Sequence, residues 1–260
     1  MSVAPKERIV LFLDDYDLPE FLAVAAGFGQ DRFGFVVTPN VDHLIRYHDD
    51  AAFRDSYAAA EYVLLDSRLL ARLLRLMKGL ALPVCTGADL TAALFSTVIR
   101  PSDRIVLIGG TVAQAGRLAG LYGLSNIHHF DPPMGFIKDP AAVRECVEFV
   151  EAHSPFRFCF IAVGSPQQEA LAVQIQSRAR TRGLALCIGA ALNFITGSEK
   201  RAPQWIQRLT LEWLYRLLQN PRRLARRYLV RGPRIITCLR QDRIEVRRRG
   251  ATASSLENPY

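Results

Sequence analysis

Phe156-Arg157-Phe158-Cys159-Phe160-Ile161-Ala162-Val163, followed directly by Gly164-Ser165-Pro166-Gln167-Gln168-Glu169, decides the fold of this chain. The first half is a near-continuous apolar run, the pattern of a strand buried on both faces in a parallel sheet. The second half opens a helix that runs to about Arg180, with Ser165 suited to the N-cap and Pro166 to the first helical turn. The same alternation repeats on either side. Upstream, Arg104 to Ile108 reads as a buried strand, Gly109-Gly110-Thr111 as a turn, and Val112 to Tyr122 as a helix. Asn126 to Phe130 is a strand, Asp131 to Phe136 a rigid loop and Pro140 to His153 a helix. Nearer the start, strands at Arg8–Leu13, Phe33–Val37 and Tyr62–Leu65 are each followed by helical patterns, and Leu90 to Ile99 adds another helix. Leu184 to Leu192 is the last core strand. Strand and helix alternating at this spacing imply an α/β protein with a doubly wound, mostly parallel, Rossmann-like sheet.

In such sheets, ligands bind beyond the carboxyl ends of the strands. Thr38, Asn40, Asp66, Gly109, Gly164, Gln167 and Asn193 all fall at that edge, which makes one shared crevice the economical reading. Taken singly, several have a plain structural reading. The Gly109 turn has the strand-glycine-helix layout that brings backbone N–H groups to a phosphate, yet it lacks the full Gly-x-Gly-x-x-Gly fingerprint, and such turns also serve simply to pack a helix on a sheet. The Gly164 turn, with Gln168 beside it, suits a nucleotide base or a diphosphate, or is a well-capped helix and nothing more. His128 and His129 point to opposite faces of one strand and cannot easily share a metal. No metal site is expected, and no cofactor.

The chain carries 50% hydrophobic and 22% charged residues and a net charge of +8. That composition is globular, and the charge is lopsided. Between Lys200 and Arg249 the only acids are Glu212, Asp242 and Glu245, set among a dense series of arginines. A basic stretch of this kind points to a polyanion: nucleic acid, an anionic membrane face or a phosphorylated substrate, unless it is only a solvated helix. The domain reading is an α/β core over residues 1–198, a basic helical appendage over 199–249, and a disordered tail over 250–260. Removing everything after about Gly197 is expected to leave a folded core with little activity. Cys85, Cys146, Cys159, Cys187 and Cys238 lack Cys-x-x-Cys spacing and read as buried free thiols of a reducing compartment. With neither a signal pattern nor an apolar run of spanning length, the expected location is cytoplasmic, at most peripheral to a membrane.

Taken in order, Thr38-x-Asn40, Asp66 after a strand, Gly87-x-Asp89-Leu90, Gly164-x-Pro166-x-Gln168-Glu169, Gly197 with Arg201-Ala202-Pro203, and Glu212-Trp213-Leu214-Tyr215-Arg216 followed by Pro221-Arg222-Arg223 resemble the bacterial WecG/TagA/CpsF glycosyltransferases. The Arg-Ala-Pro and Glu-Trp-Leu-Tyr-Arg pair is the specific part, and the resemblance runs from about residue 9 to 231. It implies an inverting, metal-independent transfer of N-acetylmannosamine, its uronic acid or glucose from a UDP-sugar to a polyprenyl-diphosphate-linked saccharide, on the inner face of the bacterial plasma membrane. By resemblance, Asp66 is the catalytic base, Thr38 and Asn40 line the substrate pocket, and Gln168 is the glutamine of its turn. Arg216, Arg223 and Arg226 correspond to arginines of an appendage that closes over the site and meets an anionic membrane surface.

The chemistry agrees with that implication on its own terms. Displacement at an anomeric carbon needs a carboxylate to take the acceptor's proton and cations to stabilise a departing diphosphate. Three departures from the family pattern stand out. Ser67-Arg68 follows the base where glycine is usual, Leu82-Pro83-Val84-Cys85 precedes Gly87 without an arginine, and Asn193-Phe194 replaces an Asp-Phe pair. Two other classes rank lower. A nucleic-acid binder would rest on the arginines alone, without a recognisable motif, so no nucleic-acid partner is expected. A dinucleotide oxidoreductase would need an acidic ribose ligand about 20 residues after the Gly109 turn, where only Asp131 is available.

Overall fold

The computed structural model describes residues 9–247, without the side chains of Gln204 and Arg223. The 250–260 segment, expected to be disordered, lies outside the described residues.

The chain opens with β1 (Val10–Asp14) and α1 (Leu18–Gly27), whose start is set by a reciprocal capping box between Asp17 and Glu20. β2 (Phe33–Val37) leads into α2 (Val41–Asp49), capped by Asn40, and α3 (Ala51–Ala59), capped by Asp50. The short β3 (Tyr62–Val63) precedes α4 (Arg68–Lys78), capped by Ser67, and α5 (Gly87–Ala93), capped by Thr86. β4 (Ile105–Ile108), α6 (Val112–Tyr122), β5 (Ile127–Phe130) and α7 (Pro140–Ala152) follow. β6 (Phe158–Ile161), α8 (Gln167–Gln176), β7 (Gly183–Cys187) and α9 (Ala191–Ile195) complete the part expected to be core.

Six parallel strands pair in the order β3-β2-β7-β6-β4-β5. The strands are apolar throughout because both faces are covered. In β6, Phe158 and Phe160 join one core cluster while Cys159 and Ile161 join the other, and none of the four has exposed surface. Residues two apart share a face, so this split is the direct mark of a doubly wound sheet. The five cysteines are free and buried, as expected.

The last part differs from its sequence reading. α10 (Gln204–Arg208), α11 (Glu212–Gln219), α12 (Pro221–Ala225), a π-helical segment (Arg226–Arg231) and α13 (Ile235–Gln241) are helical. The chain then ends its described course in a strand, β8 (Arg243–Arg247), which pairs in parallel with β1. The appendage expected over 199–249 is thus mainly helical and ends in a strand that sequence reasoning missed, which forms a separate two-stranded parallel sheet with β1. The Asp14 carboxylate, fully buried, ties three strands together. Its Oδ2 accepts from the Val63 amide at 2.7 Å and from Arg247 Nη2 at 2.8 Å. A cut after Gly197 removes both the partner strand of β1 and the cation beside Asp14.

Two turns also depart from expectation. β7 stops at Cys187, and Asn193 sits in α9 rather than at a strand end, because Gly189 adopts a left-handed backbone that ends the extended run. Ser165 does not cap α8. The helix starts at Gln167 after a cis Ser165–Pro166 bond, and no side chain caps it.

Candidate functional site

Asp66 follows β3 at the carboxyl edge of the sheet. Its amide donates to the Pro39 carbonyl at 3.0 Å, which fixes it beside the Thr38-Pro39-Asn40 turn. Ser67 then caps α4 by accepting from the Leu70 amide, so the chain turns away and leaves the carboxylate at the edge. Asp66 Oδ1 accepts from the Gly87 amide at 3.1 Å, at the first turn of α5. Gly87 has room for no more than a hydrogen, since a Cβ there would meet Thr38 Oγ1 at 3.1 Å. Thr38, Asp66 and Gly87 thus converge.

Burial pushes the Asp66 carboxyl up to about 7. The Arg216 guanidinium opposes that rise, the Glu212 carboxylate adds to it, and the Gly87 hydrogen bond and Arg201 oppose it in turn. Asp89 shows the opposite balance. Burial would raise it, but hydrogen bonds from Arg201 and Thr86 outweigh burial and hold it below the usual carboxylate range. Arg201 grips both Asp89 oxygens, with Nη2 to Oδ2 at 3.0 Å, and Thr86 Oγ1 donates to Oδ2 at 2.7 Å. One carboxylate is therefore locked as an anion and its neighbour is poised near neutrality.

Residues 199–234, the segment expected to act as a lid, meet the core beside this pair. Arg216 on α11 lies with its guanidinium 5.0 Å from the Phe194 ring centre, a cation–π contact that holds it at the core face. The Asn220-Pro221 step splits the helix into α11 and α12, as the sequence implies. Of the expected arginines, Arg216 reaches the site, and the side chain of Arg223 lies outside the described residues. Arg226 is exposed, and its neighbour Arg227 turns inward: Nη2 meets Asn40 Oδ1 at 3.5 Å and Nε meets Asp42 Oδ2 at 3.4 Å. Asn40 Oδ1 also caps α2, accepting from the Asp42 amide at 3.0 Å.

The other expected residues occupy the middle of the same edge. Gln168 is buried, with Oε1 accepting from the Gly189 amide at 2.9 Å and Nε2 donating to Glu169 at 2.9 Å. Gly164 and Gly109 are both left-handed. A Cβ on Gly109 would come within 2.9 Å of Val163 Cγ1, so this turn lets β4 and β6 approach closely, the packing reading of that glycine. Asn193 faces away, towards α6. Its Oδ1 accepts from Gln114 Nε2 at 2.9 Å and its Nδ2 donates to Glu199 at 3.3 Å. His128 stacks on His153 with ring centres 4.0 Å apart, while His129 meets the Gly110 carbonyl. No group of three or more potential metal ligands occurs among the described residues.

Sequence reasoning left Arg201, Asp89, Phe194, Glu212 and Arg227 without individual roles. Asp89 had a signal, since Thr86 and Asp89 stand in N-cap and N3 positions, and a carboxylate there draws a cation to the same helix start. Arg227 had none, because only the helical phase of the segment after Pro221 separates it from Arg226.

A parallel α/β sheet thus carries at its carboxyl edge a carboxylate of raised proton affinity, with guanidinium groups from residues 199–234 beside it. The sequence profile of the "Glycosyl transferase WecG/TagA/CpsF family" matches residues 9–249, and the chain belongs to that family. It is a hexosyl-type glycosyltransferase of cell-surface polysaccharide synthesis, a role that implies in general terms a nucleotide-sugar donor and a lipid-linked acceptor. No helix among the described residues is long and apolar enough to cross a membrane.

Proposed function

We propose that the chain transfers N-acetylmannosamine, its uronic acid or glucose from a UDP-sugar to a polyprenyl-diphosphate-linked saccharide, with inversion and without a metal. The observation that carries this reading is the Asp66 carboxyl, raised to about 7 by burial yet faced by Arg216. A base of that affinity takes a proton at neutral pH without being too weak to hold it. The acceptor hydroxyl loses its proton to Asp66 as its oxygen bonds to the anomeric carbon. The bond from that carbon to the diphosphate breaks on the opposite side, which inverts the centre. UDP leaves with the electron pair, and Arg216 and Arg201, whose charges both act on Asp66, would stabilise the departing diphosphate. Thr38 and Asn40, beside the base, would orient the reacting sugars.

The lid's outer surface supports a site on the inner membrane face. Trp205, Leu209, Leu211, Leu218, Leu229 and Val230 are exposed, interleaved with Arg208, Arg222 and Arg226. An apolar set with cationic neighbours favours an anionic bilayer, where each basic residue contributes about 1 kcal/mol.

The test is calorimetry of UDP and a panel of UDP-sugars against the full chain without added metal. Selective binding of UDP, with one UDP-sugar tighter than the rest and turned over by the wild type but not by Asp66→Ala, is the expected result. Absence of UDP binding by the folded chain would overturn the donor assignment.

A further inference from the structure

The lid meets the core near Asp66 through a chain of alternating charges that the catalytic reading does not use. Glu212, at the start of α11, has one oxygen directed to each side of the boundary. Oε1 lies 3.8 Å from Arg216 Nε one turn along the same helix, and Oε2 lies 3.9 Å from Arg68 Nη1 on α4 of the core. Arg68 in turn donates from Nη1 to Gln207 Oε1 at 3.3 Å and sits with Nη2 at 3.9 Å from Asp89 Oδ2. Gln207 is itself buried and fixed, its Nε2 donating to the Ala202 carbonyl at 2.7 Å. One turn further along α4, Arg72 Nη1 reaches Thr210 Oγ1 of the lid at 3.4 Å.

Arg68 occupies the second position after Asp66, at the first turn of α4, so the residue that follows the base in sequence is also the one that reaches across to the lid. We propose that Glu212 is a positioning residue for the transfer: from α11 it holds the Arg216 guanidinium in place one turn along the helix, and Arg68 of the core anchors Glu212. This rests on the reading of Asp66 as the base. The titratable and charged groups that interact with Asp66 are Tyr57 on α3, Cys85 ahead of α5, Arg201 ahead of α10, and Glu212 and Arg216 on α11. Among them Glu212 is the nearby acid that raises the affinity of Asp66 for a proton, and Arg216 and Arg201 are the cations that lower it. Glu212 therefore does two things with one charge. It offsets part of the effect of Arg216 on Asp66, and it holds Arg216 ready for a departing diphosphate, whose oxygens fit a guanidinium better than a carboxylate at 3.8 Å does.

The experiment follows the Asp66 side-chain carboxyl by carbon NMR in the full chain, labelled at aspartate and assigned by its loss in Asp66→Asn. The wild-type signal should titrate near 7. In Glu212→Gln the midpoint should rise, because releasing Arg216 removes a larger influence on Asp66 than the charge of Glu212 adds. Glu212→Asp, with its charge kept on a shorter arm, should lie between. In parallel, Arg68→Ala should speed amide exchange through Glu212–Gln219, and Arg68→Lys should restore part of the protection. A wild-type midpoint near the ordinary carboxylate range would overturn the base assignment itself. A midpoint that neither Glu212 variant moves, or that falls in Glu212→Gln as loss of an acid alone would make it, would leave the base standing and overturn the positioning role. Unchanged exchange in Arg68→Ala would remove Arg68 as the catch.

Discussion

The sheet and the lid are held by different forces. Inside the sheet, Phe158, Cys159, Phe160 and Ile161 have no exposure and contribute through apolar burial, which salt scarcely weakens. The lid is fastened largely through charge: Arg201 to Asp89, Arg68 to Glu212 and Asp89, Arg227 to Asp42, and Arg234 to Asp49. Ion pairs at a half-exposed boundary are modest and screened. The lesson is a division of labour, in which a rigid base carries the carboxylate and a more loosely attached element brings the cations. An anionic ligand can then compete for those same cations, so its arrival is felt by the lid before the sheet.

The largest expected effect tests the base. Asp66→Asn should lower turnover by about 10²- to 10⁴-fold. The same variant should gain thermal stability above neutral pH. A carboxyl raised in the folded state costs stability once it must ionise, so the wild type weakens as pH rises from the ordinary carboxylate range to about 7, and the amide does not. Thermal midpoints measured across that window would show it.

Next in size come two changes in strands, one in the six-stranded sheet and one in the β1–β8 pair. Phe160→Ala should cost about 3–5 kcal/mol in denaturant unfolding, with little dependence on salt. Arg247→Ala leaves the buried Asp14 carboxylate without its guanidinium, and should cost a similar ~3–5 kcal/mol. If that loss were much smaller, β8 would be an ornament rather than a structural partner of β1. Smaller still, Arg201→Ala should remove about 1.5–3 kcal/mol of lid attachment, read as faster amide exchange over α10 and α11 while the sheet strands stay protected. At the bottom, Arg234→Ala should leave the thermal midpoint unchanged, because its pair with Asp49 is exposed.

The sheet was legible because burial on both faces writes a continuous apolar run, as in Phe156–Val163, and glycine or capping residues punctuate each end. Asp66, Thr38 and Asn40 were legible for the same reason, since a polar residue just past such a run lands at the carboxyl edge. Arg216 came from the family pattern and Phe194 explains its place. What escaped was long-range. Arg243-Ile244-Glu245-Val246-Arg247 carries only two apolar residues, as an outer strand with charged flanks can, and nothing local announces that it pairs with β1. Ser165 has every attribute of an N-cap, but α8 starts two residues later, at Gln167, with no side-chain cap. Asn193 was misplaced at a strand end because Gly189 ends β7 before the apolar character does.

Asp14 and the arginine that neutralises it are 233 residues apart. During synthesis, β1 leaves the ribosome first among the described strands and must wait for its strand partner until nearly all the described chain has been made. The lid lies within that interval, between α9 and α13, so it is a strap stitched at both ends rather than a trailing arm. The last stitch pairs β8 with β1 and closes the strap at the same stroke.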